Sequence, residues 1–170
     1  MKFLKIALAS AAIAGFASTA SAQDGNAYIN IGVDAVEFDA YTLSGKVGYK
    51  FTDMFAVEGQ AAIGIIDNKE TIQGIEAKAG VDSSFGAFGV IRIPTSEGLN
   101  LFGRAGYHFT QVSASAGAAE LSADVDGFAI GAGSEYSWDG VNGVRLEYTY
   151  LDGDGDGGSD VVSLSYVRNF

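Results

Sequence analysis

Regular alternation of apolar and polar residues is the feature that most constrains how this chain can fold. The alternation recurs in eight segments after residue 23, and no long stretch has apolar residues at the helical spacing of i, i+3, i+4 and i+7. In the segment Ile29–Val33, for example, Asn30 and Gly32 separate three apolar residues. A period of two places every second side chain on the same face of a β-strand. The sequence therefore predicts an all-β fold with eight strands, each of which has one apolar face.

The connections between these strands alternate between short and long. Three are compact turns, at residues 52–54, 94–98 and 139–142. The other four are mostly longer, more acidic or richer in Gly and Ser, at residues 37–41, 67–71, 113–123 and 152–160. This pattern is typical of an antiparallel up-and-down barrel, because every second connection of such a barrel lies on the same side. The barrel would then display four acidic loops at one end.

The first 22 residues have the features of an export signal. Lys2 and Lys5 give a positive start, an apolar stretch follows, and a run of small residues ends with Ala20, Ser21 and Ala22. This ending fits a cleavage site between Ala22 and Gln23. The apolar stretch is shorter than the ~20 residues of a membrane-spanning helix, so we expect it to be removed. The predicted organisation is a signal peptide over residues 1–22 and one barrel domain over residues 23–170.

Composition removes several classes of function. A formal net charge of −11 argues against a nucleic-acid surface, and the absence of cysteine excludes disulfides, zinc–thiolate sites and a cysteine nucleophile. The single histidine, His108, excludes a site with several histidine ligands. A Ser-His-Asp triad could use only His108, and no motif around it matches a known catalytic arrangement. We therefore expect neither enzymatic activity nor a cofactor.

The face opposite the apolar one separates a soluble barrel from a membrane barrel. On a soluble barrel it would face water and carry many Lys and Glu residues, whereas here it is mostly Gly and Ser with a few charges. Small residues suit the lumen of an eight-stranded barrel, which has room only for the side chains that fill it. The apolar face carries aromatic residues near the strand ends, most of them beside the short turns: Tyr49, Phe51, Phe55, Tyr136, Trp138, Tyr166 and Phe170. Such a girdle is typical of a membrane interface, so we predict a transmembrane β-barrel.

The export signal, the eight alternating strands and the stretches Gly131–Tyr136 and Leu164–Phe170 together resemble the small OmpA/OmpX-type outer-membrane barrels, a porin-like family. The resemblance implies the outer membrane of a diderm bacterium and contact with its lipid and lipopolysaccharide. It also implies that the barrel-assembly machinery reads a carboxyl-terminal signal containing Tyr166 and Phe170, although Arg168 replaces the apolar or aromatic residue usual at its position. No peptidoglycan-binding domain follows the barrel, so we expect no cell-wall tether. We also expect a monomer.

Charged residues on the small-residue face are predicted to pair inside the barrel. Buried charges need partners, and the strand order makes neighbours of several of these residues. The predicted network consists of Glu58, Arg92, Arg104, Glu135, Arg145 and Glu147, and Lys46, Lys50, Gln60 and His108 share the same face. The network could be a polar plug that fixes the strand register or part of a gated ion path. We favour the plug, because small barrels have filled interiors.

A short acidic motif lies in the last predicted loop. Asp152, Asp154 and Asp156 match the first half of a calcium-binding loop. The second half does not match, because the twelfth position is Ser163, which belongs to the last strand, where such a loop has a glutamate. The motif predicts weak binding of a divalent cation at most, and a flexible acidic hairpin loop is the alternative.

These observations favour a barrel with a structural or surface-interaction role. Contacts with an unknown surface ligand would lie in residues 113–123 and 152–160. Two alternatives remain, a lipid-modifying outer-membrane enzyme and a narrow channel. The first needs a catalytic triad at the lipid surface, which the sequence does not supply, and a filled lumen disfavours the second.

Overall fold

The computed structural model describes residues 26–37, 40–66, 68–72, 75–116, 119–153 and 158–170. The predicted signal peptide, with its cleavage site between Ala22 and Gln23, lies outside these residues. The described part of the chain contains no helix with the length and apolar composition of a membrane span.

The described residues form one antiparallel sheet of strands. In chain order the strands are β1 (Ala27–Val36), β2 (Ala40–Lys50), β3 (Phe55–Ile66), β4 (Asn68–Ile72), β5 (Ile75–Ser96), β6 (Leu99–Ala116), β7 (Ala119–Ser137), β8 (Asn142–Asp152) and β9 (Gly158–Asn169). Both β3 and β4 pair with β5, so together they occupy one position in the barrel. The other strands pair with their neighbours along the chain, and β1 pairs with β9. The sheet closes into an eight-stranded up-and-down barrel, which confirms the predicted fold class.

Inward and outward side chains alternate along the strands. On β8 the buried residues Arg145 and Glu147 alternate with the exposed residues Val144, Leu146 and Tyr148. The other strands that span the barrel follow the same rule, so large apolar side chains face outward and polar or small ones face the lumen. An apolar exterior around a polar interior is the arrangement that lipid requires. The prediction of a transmembrane barrel is confirmed.

Aromatic residues mark two levels of the outer surface. The seven aromatic residues predicted at the membrane interface are all exposed near the end of the barrel with the short turns, called here the short-turn end. A second group, which the sequence analysis did not identify, contains Tyr107, Phe109 and Phe128, whose rings pack edge to face at 5.2 and 5.3 Å. Phe109 lies ten residues after Leu99 on β6. That separation is about 33 Å of strand, or about 25 Å of height at the usual tilt of roughly 40°, which matches the lipid-facing band.

Two of the four predicted loops are wrong. In the loop predicted at residues 67–71, residues 68–71 lie in β4. In the loop predicted at residues 113–123, residues 113–116 lie in β6 and residues 119–123 lie in β7. Strands β5, β6 and β7 have 22, 18 and 19 residues, whereas a membrane span needs only about 9–11. The sheet therefore continues past the lipid band at the end opposite the short turns, called here the loop end. We call β4 and residues 75–84, 110–116 and 119–126 the extension.

The other two predicted loops are shorter than expected. Strands flank residues 37–39 and residues 153–157, so these are the segments left between β1 and β2 and between β8 and β9. The reason for all four differences is the same. Small and acidic residues suggest a loop by composition, but backbone hydrogen bonds to an adjacent strand extend a hairpin beyond its apolar part.

The turn between β7 and β8 is held by one carboxylate. Asp139 accepts hydrogen bonds from the backbone N–H groups of Asn142 (2.5 Å) and Val141 (2.9 Å) and from the side-chain amide of Asn142 (2.6 Å). These bonds, above all those from Asn142, favour the charged form and lower the pKa of Asp139. Gly140 has a φ of 79°, which glycine adopts without strain. The turn is therefore short and well defined.

Closure of the barrel predicts that the folded protein resists detergent until it is heated. Every strand has a hydrogen-bonded neighbour on both sides within the lipid band, so detergent finds no open edge there. We expect unboiled protein to migrate faster than boiled protein on a detergent gel, with loss of a strand-rich circular dichroism spectrum on boiling. Equal migration of the two samples, without a strand-rich spectrum, would contradict closure.

Candidate functional site

Five charged side chains meet in the lumen, in the half of the barrel nearer the short turns. They are Lys46 on β2, Glu58 on β3, Arg104 on β6, and Arg145 and Glu147 on β8. Their side chains are 0–1% exposed. Each occupies an inward position of its strand, with outward residues on both sides, so the alternation alone places it in the lumen. We call these five residues the central network.

Glu58 is one of the two acids of the central network. Arg145 donates to its carboxylate through Nη1 (2.5 Å) and Nη2 (3.2 Å), and Arg104 donates through Nη1 (3.3 Å). The Tyr28 hydroxyl donates to Oε1 at 2.7 Å. Both oxygens of Glu58 are therefore bound by donors from other strands.

Glu147 is the second acid and contacts all three cations of the central network. Lys46 Nζ lies 2.7 Å from Oε1, and Arg145 Nη2 lies 2.6 Å from Oε2. Arg104 Nη1 lies 3.3 Å from Oε1, and the Thr149 hydroxyl donates to the same oxygen at 3.2 Å. Since both acids share Arg104 and Arg145, the five residues form one connected network.

Two aromatic rings cover the guanidinium groups. The Arg104 guanidinium carbon lies 3.7 Å from the ring centroid of Phe88, and that of Arg145 lies 3.7 Å from the ring centroid of Phe102. Gly133 is paired with Phe102 and leaves space for its ring, because a Cβ there would lie 2.6 Å from Cζ. Stacking on aromatic faces suits arginine better than lysine.

The structure separates the six residues of the predicted network into two groups. Glu58, Arg104, Arg145 and Glu147 come together, with Lys46 as a fifth member. Arg92 and Glu135 instead form their own buried pair, with N–O distances of 2.8 and 3.3 Å.

Tyr28 links the pair to the central network. Its hydroxyl donates to Glu58, and the Arg92 guanidinium lies over its ring at 5.6 Å. The sequence analysis did not identify Tyr28, Phe88 or Phe102 as inward residues. Their positions along the strands could have identified them, because all three alternate in phase with the small and charged residues of the inward face.

A cavity of about 620 Å³ lies above the central network, toward the loop end. Gln60, Arg104 and Glu147 contribute its polar floor. Its walls combine hydroxyl-bearing side chains, among them Thr42, Ser84, Thr110, Thr149 and Ser163, with apolar ones: Val36, Ala62, Val81, Phe88, Val112, Val125, Leu151 and Val161. The cavity ends above the ion pairs and does not include the Arg92–Glu135 pair.

His108 lies in the wall of this cavity. The residue is 4% exposed, and its Nδ1 lies 3.2 Å from the hydroxyl of Thr110, which is 3.0 Å from the hydroxyl of Ser84. None of the side-chain hydrogen bonds of His108 within the described ranges reaches a carboxylate. The described part of the chain therefore does not assemble a Ser-His-Asp triad around this histidine.

The predicted divalent-cation motif is mostly outside the described residues. Asp152 is exposed at the end of β8, whereas Asp154 and Asp156 lie outside the described ranges. Weak cation binding there stays a prediction.

The predicted assembly signal lies on the outer surface at the short-turn end. The Tyr166 hydroxyl donates to the side chain of Asn142, and the Phe170 backbone N–H donates to the Ala27 carbonyl at 3.0 Å. Both side chains are exposed on the outer face. Arg168 also faces outward, with its guanidinium 5.6 Å from the Phe170 ring centroid. The carboxyl terminus therefore joins the first strand and presents aromatic rings to the membrane interface.

Comparisons with solved structures identify the same architecture in outer-membrane proteins. The amino-terminal β-barrel domain of Pseudomonas aeruginosa OprF has a TM-score of 0.68 at 15% identity, covering 86% of this chain and 98% of that one. Yersinia pestis Ail, solved with the heparin analogue sucrose octasulfate, has a TM-score of 0.63 at 18% identity, covering 85% and 98%. Neisserial surface protein A has a TM-score of 0.57 at 15% identity, covering 85% and 95%.

Comparisons at the sequence level assign the family. No curated protein sequence matched this chain. A family model described as the outer membrane protein beta-barrel domain matches residues 6–170. This match and the structural neighbours confirm the predicted resemblance to small outer-membrane barrels. The chain accordingly belongs to the outer membrane protein β-barrel domain family, and its place is the outer membrane of a diderm bacterium.

Proposed function

We propose that this protein is a non-conducting structural barrel that displays a surface for interaction at its loop end. The central network is the observation that supports this proposal. Its five buried charges and two stacked rings fill the lumen between the cavity and the short turns. An ion that passed through would have to separate pairs that are shielded from water, which is strongly unfavourable.

The extension supports the interaction part of the proposal. Side-chain hydrogen bonds join its strands, from Ser113 to Asp82 at 3.0 Å and from Gln111 to Asp124 at 3.1 Å. A paired sheet that continues past the lipid is a more rigid display surface than four loops would be. We infer that a partner in the external medium contacts the extension.

The charge of the loop end indicates what such a partner would be. Exposed acids cluster there: Glu37, Asp82, Asp124, Asp152 and Asp160. Yersinia pestis Ail was solved with a heparin analogue, which is polyanionic. These acids would repel such a ligand, so we infer an uncharged or cationic partner for this chain.

The position of His108 weighs against a lipid-modifying enzyme. Such an enzyme needs its catalytic groups within reach of the lipid outside the barrel. His108 is the single histidine of the chain, and it faces the lumen and is 4% exposed. We therefore propose a non-enzymatic role.

The first prediction of the proposal concerns conduction. The barrel should give no discrete conductance steps in a planar bilayer, because the central network fills the lumen. The double variant Glu58→Ala/Arg104→Ala removes one acid and one cation together and should permit small steps. Leu146→Ala, on the lipid face of β8, is the control and should remain silent. Steps in the unmodified protein that persist unchanged in the double variant would mean that it is a channel.

The second prediction concerns stability. Arg104→Leu should lower the free energy of unfolding by about 3–5 kcal/mol, because it leaves Glu58 and Glu147 without one of their shared cations. Arg168→Leu makes the same change at an exposed position and should cost about 0–1 kcal/mol. The measurement is a urea titration of each variant folded in lipid vesicles. Equal losses for the two variants would show that the central network does not stabilise the barrel.

The third prediction concerns assembly. We infer that the barrel-assembly machinery recognises the carboxyl-terminal strand, as the family resemblance implies. Phe170→Ala should then reduce the amount of protein in the outer membrane severalfold, while folding into detergent stays near normal. Phe55→Ala removes another exposed ring at the same end and should have little effect in cells. The loss of one such ring from an interface is worth at most about 1.5–3 kcal/mol. Equal outer-membrane levels of the two variants would leave Phe170 only a packing role.

A further inference from the structure

An open pocket of about 420 Å³ lies on the outer surface of the barrel, where the extension begins. We infer that this pocket binds the primary ammonium headgroup of a lipid in the outer leaflet. The inference concerns the membrane around the barrel and goes beyond the proposed display role, whose partner lies in the external medium.

Two rows of paired outward side chains from β5, β6 and β7 line the pocket. The row farther from the short turns is polar and consists of Ser83, Gln111 and Asp124. The adjacent row consists of Phe85, Phe109 and Asp126. The pocket therefore combines two aromatic rings with two carboxylates.

The pocket lies at the border between lipid and water. Phe109 is ten residues after Leu99 on β6, which places its ring at the limit of the lipid-facing band. Gln111 follows Phe109 by two residues, or about 7 Å of strand, so the polar row lies just outside the band. Lipid headgroups occupy this level of a membrane. A lipid bound here would have its headgroup beside Asp124 and its apolar part below Phe109.

Neutral donors hold the two carboxylates in place. Gln111 Nε2 donates to Asp124 Oδ1 at 3.1 Å, and the Tyr107 hydroxyl donates to Asp126 Oδ2. None of the ion pairs within the described ranges includes either acid. Asp124 is exposed and Asp126 is half-buried, so both charges can attract a cation from outside the protein.

The aromatic rings favour an organic ammonium group over a metal ion. The Tyr107 ring packs edge to face against Phe109 at 5.2 Å, and Phe109 is paired with Asp126. An aromatic face attracts an ammonium group, and the N–H groups of a primary ammonium can also donate to a neighbouring carboxylate. A metal ion needs several ligands, and the described part of the chain contains no group of three or more acidic, His or Cys side chains that could hold one.

Small outward residues leave space for an acyl chain next to the pocket. The outward pairs that follow toward the short turns include Ala87 with Gly59 and Gly89 with Ala105. A Cβ at Gly59 would lie 3.7 Å from its nearest neighbour, and one at Gly89 would lie 3.9 Å away. The packing of the barrel therefore does not require glycine at either position. The open surface in front of these residues suits a chain that continues from a headgroup in the pocket.

Three amphiphiles with the same tail test the headgroup chemistry. Dodecylammonium, 1-dodecanol and dodecyl sulfate are cationic, neutral and anionic at pH 7. Each is added at increasing mole fraction to the barrel in nanodiscs of phosphatidylglycerol, a lipid without an ammonium group, while the amide resonances of Ser83 and Gln111 are followed by NMR. We expect saturable shifts with dodecylammonium and at least tenfold weaker binding of the other two. Shifts without saturation for dodecylammonium, or equal binding of 1-dodecanol, would overturn the inference.

Two variants with the same change in net charge locate the bound headgroup. Asp124→Asn/Asp126→Asn removes both carboxylates of the pocket and should weaken binding of dodecylammonium at least tenfold. Glu37→Gln/Asp152→Asn removes two exposed acids elsewhere at the loop end and should change the binding less than twofold. Equal losses in the two variants would mean that the amphiphile responds only to the net charge of the barrel, and the inference would fail.

A change of one aromatic ring tests the pocket without altering its charge. Phe109→Leu keeps an apolar side chain and should weaken binding of dodecylammonium at least threefold. Phe55→Leu makes the same change at the short-turn end and should leave the binding unchanged. This pair also decides the outcome if the Asp124→Asn/Asp126→Asn variant does not fold, as judged by its migration on a detergent gel. Equal affinity of the two phenylalanine variants would overturn the assignment of the ammonium group to this pocket.

Discussion

In hydrocarbon, a strand must pair each backbone N–H and C=O with another strand, because no water is present to replace a missing partner. This requirement forces the sheet to close, and here the closure is the pairing of β1 with β9 from Tyr28–Asn169 to Val36–Val161. Closing a barrel at eight strands leaves a lumen that side chains must fill. Closure therefore decides that side chains occupy the lumen. Because the apolar residues of each strand face the lipid, the alternating residues that face the lumen are polar or small.

Charged side chains that are buried in the lumen must satisfy one another, because burial removes the water that would otherwise solvate them. Glu58 and Glu147 achieve this by sharing Arg104 and Arg145, and Lys46 completes the set. These residues come from four strands, and the separation along the chain reaches 101 positions between Lys46 and Glu147. A shift of one residue in any of them would move a charged side chain into the lipid. The central network therefore fixes the strand register as well as filling the space.

Local pattern and long-range pairing differ in how well the sequence predicts them. Period two is a local property, so the inward position of Arg104 or Glu147 could be predicted from the strand that contains it. The contact between Lys46 and Glu147 joins residues 101 positions apart, and it depends on registers that no local pattern specifies. The sequence analysis did not assign the rings of Phe88 and Phe102 to a face, although their phase along the strand places them inside.

The same reasoning explains the extension. Its residues are mostly small, acidic or hydroxyl-bearing, and composition alone favours loops. A strand outside the membrane does not need an apolar face, because water can satisfy one side and the neighbouring strand the other. Pairing can therefore continue from Ala129, where β7 last contacts β8, to Ala119 through β6 alone. The lumen lining changes near the same height, from paired charges around Arg104 to a mixture of apolar and hydroxyl-bearing side chains around Val125. The ion pairs lie directly below this cavity, and Arg104 belongs both to the central network and to the cavity lining.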